Sequence, residues 1–195
     1  MRRFVVFGCS IAAGHGLENP SEEGWASILS KRANLELVNN GIPGASNKLI
    51  CSKIEQFNYK LGDIVFIQWS MKDRYSVLTD SDNHIKIVPG NTNQKESNSY
   101  YQDLHTEYDT NFMNKVWINY AVNHLIDLDI NFNQLYLNDI HKTGELSEVN
   151  KIPFFYQTFT RKYPKAPDNS HMGKEGNLAF ANTIYPHLFE TTDII

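Results

Sequence analysis

Three residue types that together perform acyl transfer stand at opposite ends of this 195-residue chain. Ser10 lies in Gly8-Cys9-Ser10-Ile11, directly after the apolar run Phe4-Val5-Val6-Phe7, and Asp168 and His171 lie in Asp168-Asn169-Ser170-His171. An apolar run closed by glycine reads as a buried strand ending in a turn. A serine at that point is held by rigid backbone and opens onto solvent. Its hydroxyl becomes a nucleophile when an imidazole takes its proton, and a carboxylate fixes and stabilises that imidazole. A three-residue separation puts Asp168 and His171 on one side of a tight turn. If folding joins the two ends, the expected chemistry is attack on an ester carbonyl.

The elements that must position these residues alternate between strand and helix. After the first strand and a loop from Ile11 to about Ser21, a helix carries Trp25, Ile28, Leu29 and Ala33 on one face. A short strand at Leu35 to Asn39 leads through Asn39-Asn40-Gly41-Ile42-Pro43-Gly44 to a helix over Asn47 to Phe57. The strand Asp63 to Trp69 contains the continuous run Ile64-Val65-Phe66-Ile67, as a central strand covered on both faces requires. From Tyr75 to Asp109 polar and turn residues dominate, around a small apolar island at Ile85 to Val88, and the segment is expected to be a loop or lid insertion. A helix over Thr110 to Leu128 follows, presenting Phe112, Val116, Ile118, Tyr120, Val122 and Leu125. Next come strands at Asn133 to Leu137 and Pro153 to Gln157. The last helix, Lys174 to Phe189, is expected to bury Leu178, Ala181, Ile184 and Leu188.

Such alternation predicts an α/β fold: a parallel sheet of about five strands with helices on both faces, in one domain over residues 1–195. In these sheets the ligand site lies beyond the carboxyl ends of the strands. Ser10, Gly44 and the stretch Ser70 to Arg74 each follow a strand and converge there.

Composition narrows the function. The chain is 41% hydrophobic and 21% charged with a net charge of −4, and its basic residues are scattered, which argues against a nucleic-acid partner. No stretch approaches the ~20 apolar residues of a membrane span. Arg2-Arg3 and the apolar run behind them could pass for a secretory signal, but cleavage would remove Ser10, and the run is short and broken by Gly8. The expectation is therefore a cytoplasmic protein, and its two cysteines, Cys9 and Cys51, form no disulfide framework. Cys9 is expected to point away from Ser10 and to be inert. The other histidines show no metal spacing, so no metal or cofactor is expected.

Taken in order, these blocks resemble the SGNH (GDSL-type) hydrolase superfamily. Gly8-Cys9-Ser10-Ile11 matches the nucleophile turn, with Cys9 in place of the family aspartate. The Asn39 to Gly44 segment matches the second block, and Asp168-x-x-His171 the last. Trp25 is a further common feature. The resemblance implies a flavodoxin-like three-layer α/β/α fold and a cofactor-free serine esterase acting through an acyl-enzyme. Ser10 is its nucleophile, His171 its base and Asp168 the orienting acid. The Ser10 and Gly44 amides are oxyanion donors.

The family's third block supplies an oxyanion asparagine. Here the stretch is Gln68-Trp69-Ser70-Met71-Lys72-Asp73-Arg74, which puts Lys72 at that position and leaves Lys72, Ser70 and Asn47 as alternative third donors. His15, Trp69 and Arg74 are the candidate substrate contacts. The Trp-Ser…Arg form resembles a divergent branch found in phage and bacterial genomes. The implied partner is a small ester such as an O-acetylated carbohydrate or a short-chain lipid ester, with the oligomeric state open. The alternative is a protein that keeps the fold for binding or structure with weakened catalysis. A Cys9 thiol enzyme and a flavodoxin-like cofactor domain are the other readings, the latter opposed by the lack of a Ser/Thr-rich phosphate cradle after the first strand.

Overall fold

The structure, a computed structural model, describes residues 2–79, 83–91, 93–137, 149–153, 156, 159 and 161–189. Its centre is set by the two most apolar runs. β1 (Arg3–Gly8) and β3 (Ile64–Trp69) are buried along their whole lengths and pair in parallel, Phe4 opposite Ile64 through Phe7 opposite Ile67. β2 (Glu36–Gly41) lies on the far side of β1, with Arg3 opposite Glu36. As the edge strand it is only half-buried, which fits its Glu-Leu-Val-Asn-Asn-Gly sequence. β6 (Asn131–Tyr136) pairs with β3, so the parallel sheet runs β2-β1-β3-β6. The chain order reverses between β1 and β3, a topological switch point of the kind where open α/β sheets bind ligands.

Helices cover both faces. On one, α2 (Trp25–Arg32), preceded by the single turn α1 (Pro20–Glu23), packs against α6 (Lys174–Phe189). Trp25, fully buried, meets Phe66 and Phe180 edge-on at 5.1 and 5.4 Å, joining helix, sheet and helix. On the other, α3 (Asn47–Glu55) packs against α5 (Glu107–Asp127). Ser46 caps α3 by accepting from the Leu49 N–H at 3.2 Å, and Thr106 caps α5 by accepting from Asp109 at 3.1 Å. The expected three-layer α/β/α architecture is thus present, with four strands in its parallel sheet among the described residues.

Three expectations need correction or restriction. The segment from Tyr75 to Asp109 is not a plain loop. It holds a hairpin of β4 (Tyr75–Leu78) and β5 (His84–Ile87), the short helix α4 (Lys95–Ser99), a π-helical turn over Tyr100–Leu104, and the start of α5. Tyr100 stacks on Tyr75 at 5.0 Å, and the Tyr101 hydroxyl donates to the Asp73 carbonyl, so aromatic contacts fix this polar stretch. Buried helix faces also differ from those expected. Leu178 is exposed because the α6 stripe runs through Asn177, Phe180, Ala181, Ile184 and Leu188; on α5, Phe112, Val116 and Tyr120 face outward while polar Thr110 and Asn114 face in. The expected fifth strand at Pro153 to Gln157 lies partly outside the described residues. Just before it, Lys151 bridges in parallel to Gln134, and the Ile152 N–H donates to the Gln134 carbonyl at 2.9 Å.

Candidate active site

Ser10 sits where β1 stops, at the switch point. The chain turns at once: Ala13 N–H donates to the Cys9 carbonyl at 3.1 Å and His15 N–H to the Ser10 carbonyl at 2.9 Å. The Trp25 indole N–H holds the Ile11 carbonyl at 3.2 Å from behind. The serine is therefore fixed by a hydrogen-bonded turn on one side and a core tryptophan on the other. Only 5% of Ser10 is exposed.

Asp168 and His171 come from a loop that organises itself. The chain at 164–166 runs beside 171–173, with Ala166 N–H donating to the His171 carbonyl at 2.8 Å and Gly173 N–H to the Pro164 carbonyl at 2.9 Å. At the tip, Asn169 takes the left-handed conformation that asparagine tolerates (φ 55°). The Asp168 carboxylate closes the turn by accepting from the His171 and Ser170 N–H groups, both at 3.0 Å. These two backbone bonds, with a lesser contribution from the His171 side chain, hold the Asp168 carboxyl well below the usual carboxylate range, against the opposing effect of burial.

The two ends of the chain meet here. His171 Nε2 lies 2.9 Å from Ser10 Oγ, and His171 Nδ1 lies 2.5 Å from Asp168 Oδ2. Gly16, which the sequence reading passed over, has φ +88°, and a side chain there would overlap the Asp168 carboxylate. The spacing Gly14-His15-Gly16 was its only sequence signal. His15 itself stands edge-to-face with His171 at 5.2 Å between ring centres.

Ser10 and His171 open into a cleft of about 480 Å³. Arg74, a candidate substrate contact, lines it, together with Tyr156, Arg161 and Lys165, which the sequence reading did not select. Arg161 and Lys165 stand seven and three positions before Asp168, and that local basic run was the available signal. Arg74 is positioned by a relay of buried polar groups. Asn114 Oδ1 accepts from the Asn47 amide at 2.6 Å, Asn47 Oδ1 accepts from the Ser70 N–H at 2.7 Å, and Ser70 Oγ accepts from Arg74 Nη1 at 3.1 Å. The buried Nε of Arg74 has no hydrogen-bond partner among the described residues.

Other expected site residues are engaged elsewhere. Trp69 is fully buried with its indole N–H on Gln134 Oε1 at 2.7 Å, so it is a core residue and not a substrate contact. Lys72 turns toward α5, where its ammonium meets Glu107 at 3.1 Å and Asn111 at 3.4 Å. Asn47 and Ser70 are buried and spend their polar atoms on the relay to Arg74. Gly44 keeps the left-handed φ of +79°, but the β4–β5 hairpin reaches over it through Lys86, which donates to the Pro43 carbonyl at 2.9 Å. Gly44 lines a depression beneath that hairpin, and it is not among the residues lining the cleft at Ser10. Cys9 is fully buried.

Among the described residues no cluster of His, Cys, Asp or Glu could hold a metal ion, and no helix is long and apolar enough to cross a membrane.

No family model and no curated protein matches the chain. Solved structures do. A G-D-S-L family protein from Desulfitobacterium hafniense DCB-2 superposes with a TM-score of 0.58 at 15% identity, over 96% of this chain and 100% of that one. A member of the lipolytic protein G-D-S-L family from Veillonella parvula DSM 2008 gives 0.52 at 16% identity, over 98% and 100%. At these identities the likeness is one of fold.

Proposed function

We propose that this protein is a serine ester hydrolase of the SGNH type. The observation that carries the reading is the continuous contact from Ser10 Oγ through His171 to Asp168, at 2.9 and 2.5 Å, opening into a cleft at the switch point of the sheet. In the reaction, His171 Nε2 takes the Ser10 proton as Oγ attacks the ester carbonyl. The imidazolium is stabilised by Asp168, and the tetrahedral oxyanion by the Ser10 amide and Arg74. Collapse breaks the bond to the alkoxy oxygen, which leaves as the alcohol with the proton from His171. Water, activated by the same imidazole, then hydrolyses the acyl-serine to acid and free serine. Arg74 takes the part that the resemblance gives to an asparagine, because it is the cation at the cleft whose guanidinium the relay fixes. The substrate is a small ester, such as an O-acetylated carbohydrate or a short-chain lipid ester. The fold likeness to G-D-S-L family proteins supports the reaction class.

The displaced oxyanion machinery favours a second reading, a binding protein on the same fold with weakened catalysis: Lys72 is paired with Glu107 and Gly44 lies under the hairpin. A fluorophosphonate probe separates the two. Covalent labelling mapped to Ser10 and lost in His171→Ala is expected for the hydrolase. A folded protein that takes no label at Ser10 overturns it in favour of binding.

A further inference from the structure

Among the described residues, the cleft at Ser10 is lined by three cationic side chains, Arg74, Arg161 and Lys165, and by no carboxylate. This stands out in a chain with a net charge of −4. Three cations elsewhere are neutralised, Arg3 by Asp63, Lys31 by Glu22 and Lys72 by Glu107. Arg161 and Lys165 pair with no acidic group among the described residues. Asp168, the carboxylate nearest in sequence, is taken up by its own turn and by His171.

Both cations sit on anchored backbone. Lys165 is bridged to Met172, next to His171. Arg161 belongs to the turn that follows Phe159, where Lys162 and Tyr163 N–H groups donate to the Phe159 carbonyl at 3.1 and 3.3 Å and the Phe159 ring packs edge-on against Phe180. Two cations on anchored backbone, without an acidic partner among the described residues, attract an anion at the mouth of a nucleophile's cleft, disfavour a cation and raise the local concentration of a charged substrate.

We infer that the ester cleaved here carries an anionic group, a carboxylate or a group of like charge, which Arg161 and Lys165 receive while Arg74 faces the reacting carbonyl. The inference rests on the ester-hydrolase reading and names its substrate class. The anion can belong to the alcohol, as in an O-acylated acidic sugar, or to the acyl group, as in a hemiester of a dicarboxylic acid.

The test uses pairs of esters that differ only in charge. For an alcohol-side anion the pair is 4-acetoxybenzoate and 4-acetoxybenzamide; for an acyl-side anion it is monophenyl succinate and phenyl succinamate. The expected result is a preference in kcat/KM of about tenfold or more for the charged member of one pair. That ratio should fall toward one in the Arg161→Gln/Lys165→Gln double variant and with added salt. The pair that shows the preference identifies which side bears the anion. Ser10-dependent hydrolysis with less than about twofold discrimination in both pairs overturns the charge assignment and leaves the hydrolase reading intact. Absence of hydrolysis together with absence of fluorophosphonate labelling overturns the hydrolase reading. The charge assignment is then judged by NMR titration of the wild-type protein with succinate and with succinamide. Tighter binding of succinate, lost in the double variant, supports it, and equal binding of the two overturns it.

Discussion

At the end where its strands begin, the sheet is closed by Arg3 and Asp63; at the end where they finish, it is open around Ser10, His171 and Asp168. Both ends hold a carboxylate against a cationic or protonatable partner. Arg3 grips Asp63 with two bonds of 2.8 and 2.5 Å, the Lys60 N–H adds a third at 2.8 Å, and the side chains are 10% and 2% exposed. Burial pushes the Asp63 carboxyl up, and the bonds from Arg3 and Lys60 outweigh it, so it lies below its ordinary value. The His171 and Asp168 side chains are 21% and 29% exposed, and the far nitrogen of the imidazole faces a serine instead of a fixed charge. A pair whose polar atoms are all committed can only hold structure. A pair with one end on a nucleophile beside an open cleft can also move a proton.

The contrast is sharpest under substitution. Asp168→Asn should lower kcat/KM toward any hydrolysed ester by about ten-thousandfold, since the carboxylate that stabilises the imidazolium is gone, with a loss of stability smaller than at Asp63 because the amide oxygen still accepts from the turn N–H groups. Asp63→Asn should do the reverse. It leaves Arg3 buried without its counter-charge and should cost about 3–5 kcal/mol in urea unfolding, with activity per folded molecule retained. The same variant should flatten the acid limb of stability. A carboxylate held below its ordinary value contributes stability that is complete above the unfolded-state pKa and is lost as pH falls through the folded one. Equal acid slopes for wild type and variant would remove Asp63 as the cause.

Arg74→Gln should reduce kcat by about a hundredfold, on the scale of losing one oxyanion donor, while KM for a neutral ester changes little. A loss confined to KM would make Arg74 a binding contact only. The smallest effect is expected inside the core between the two ends. Trp69→Phe removes the donor to Gln134 and some volume, and should lower stability by about 1–3 kcal/mol without altering kcat. A change in kcat with unchanged stability would return Trp69 to the site.

The four strands of the parallel sheet, and the turns that carry Ser10, Asp168 and His171, were legible because each rests on a local pattern. A short continuous apolar run bounded by turn residues fits a strand buried on both faces, as β1 and β3 are. An Asp three residues before a His builds its own turn from backbone bonds within four residues. What was missed depends on contacts between distant segments. Asn114 faces inward on α5 because Asn47 and the Lys72 carbonyl meet it there, and no helical periodicity in the sequence signals such a partner. The hairpin over Gly44 and the outward turn of Lys72 toward Glu107 are of the same kind.

By itself, then, the sequence determined the alternation of strands and helices, the turn that carries Ser10 to the cleft and the self-closing loop of Asp168 and His171, since short-range hydrogen bonding and apolar periodicity suffice for these. Only the tertiary structure decided which of two neighbouring cations lines the cleft at Ser10. Lys72 and Arg74 are two residues apart and carry the same charge, and they differ because Lys72 is held by Glu107 on α5 and Arg74 by the Ser70 hydroxyl at the end of β3.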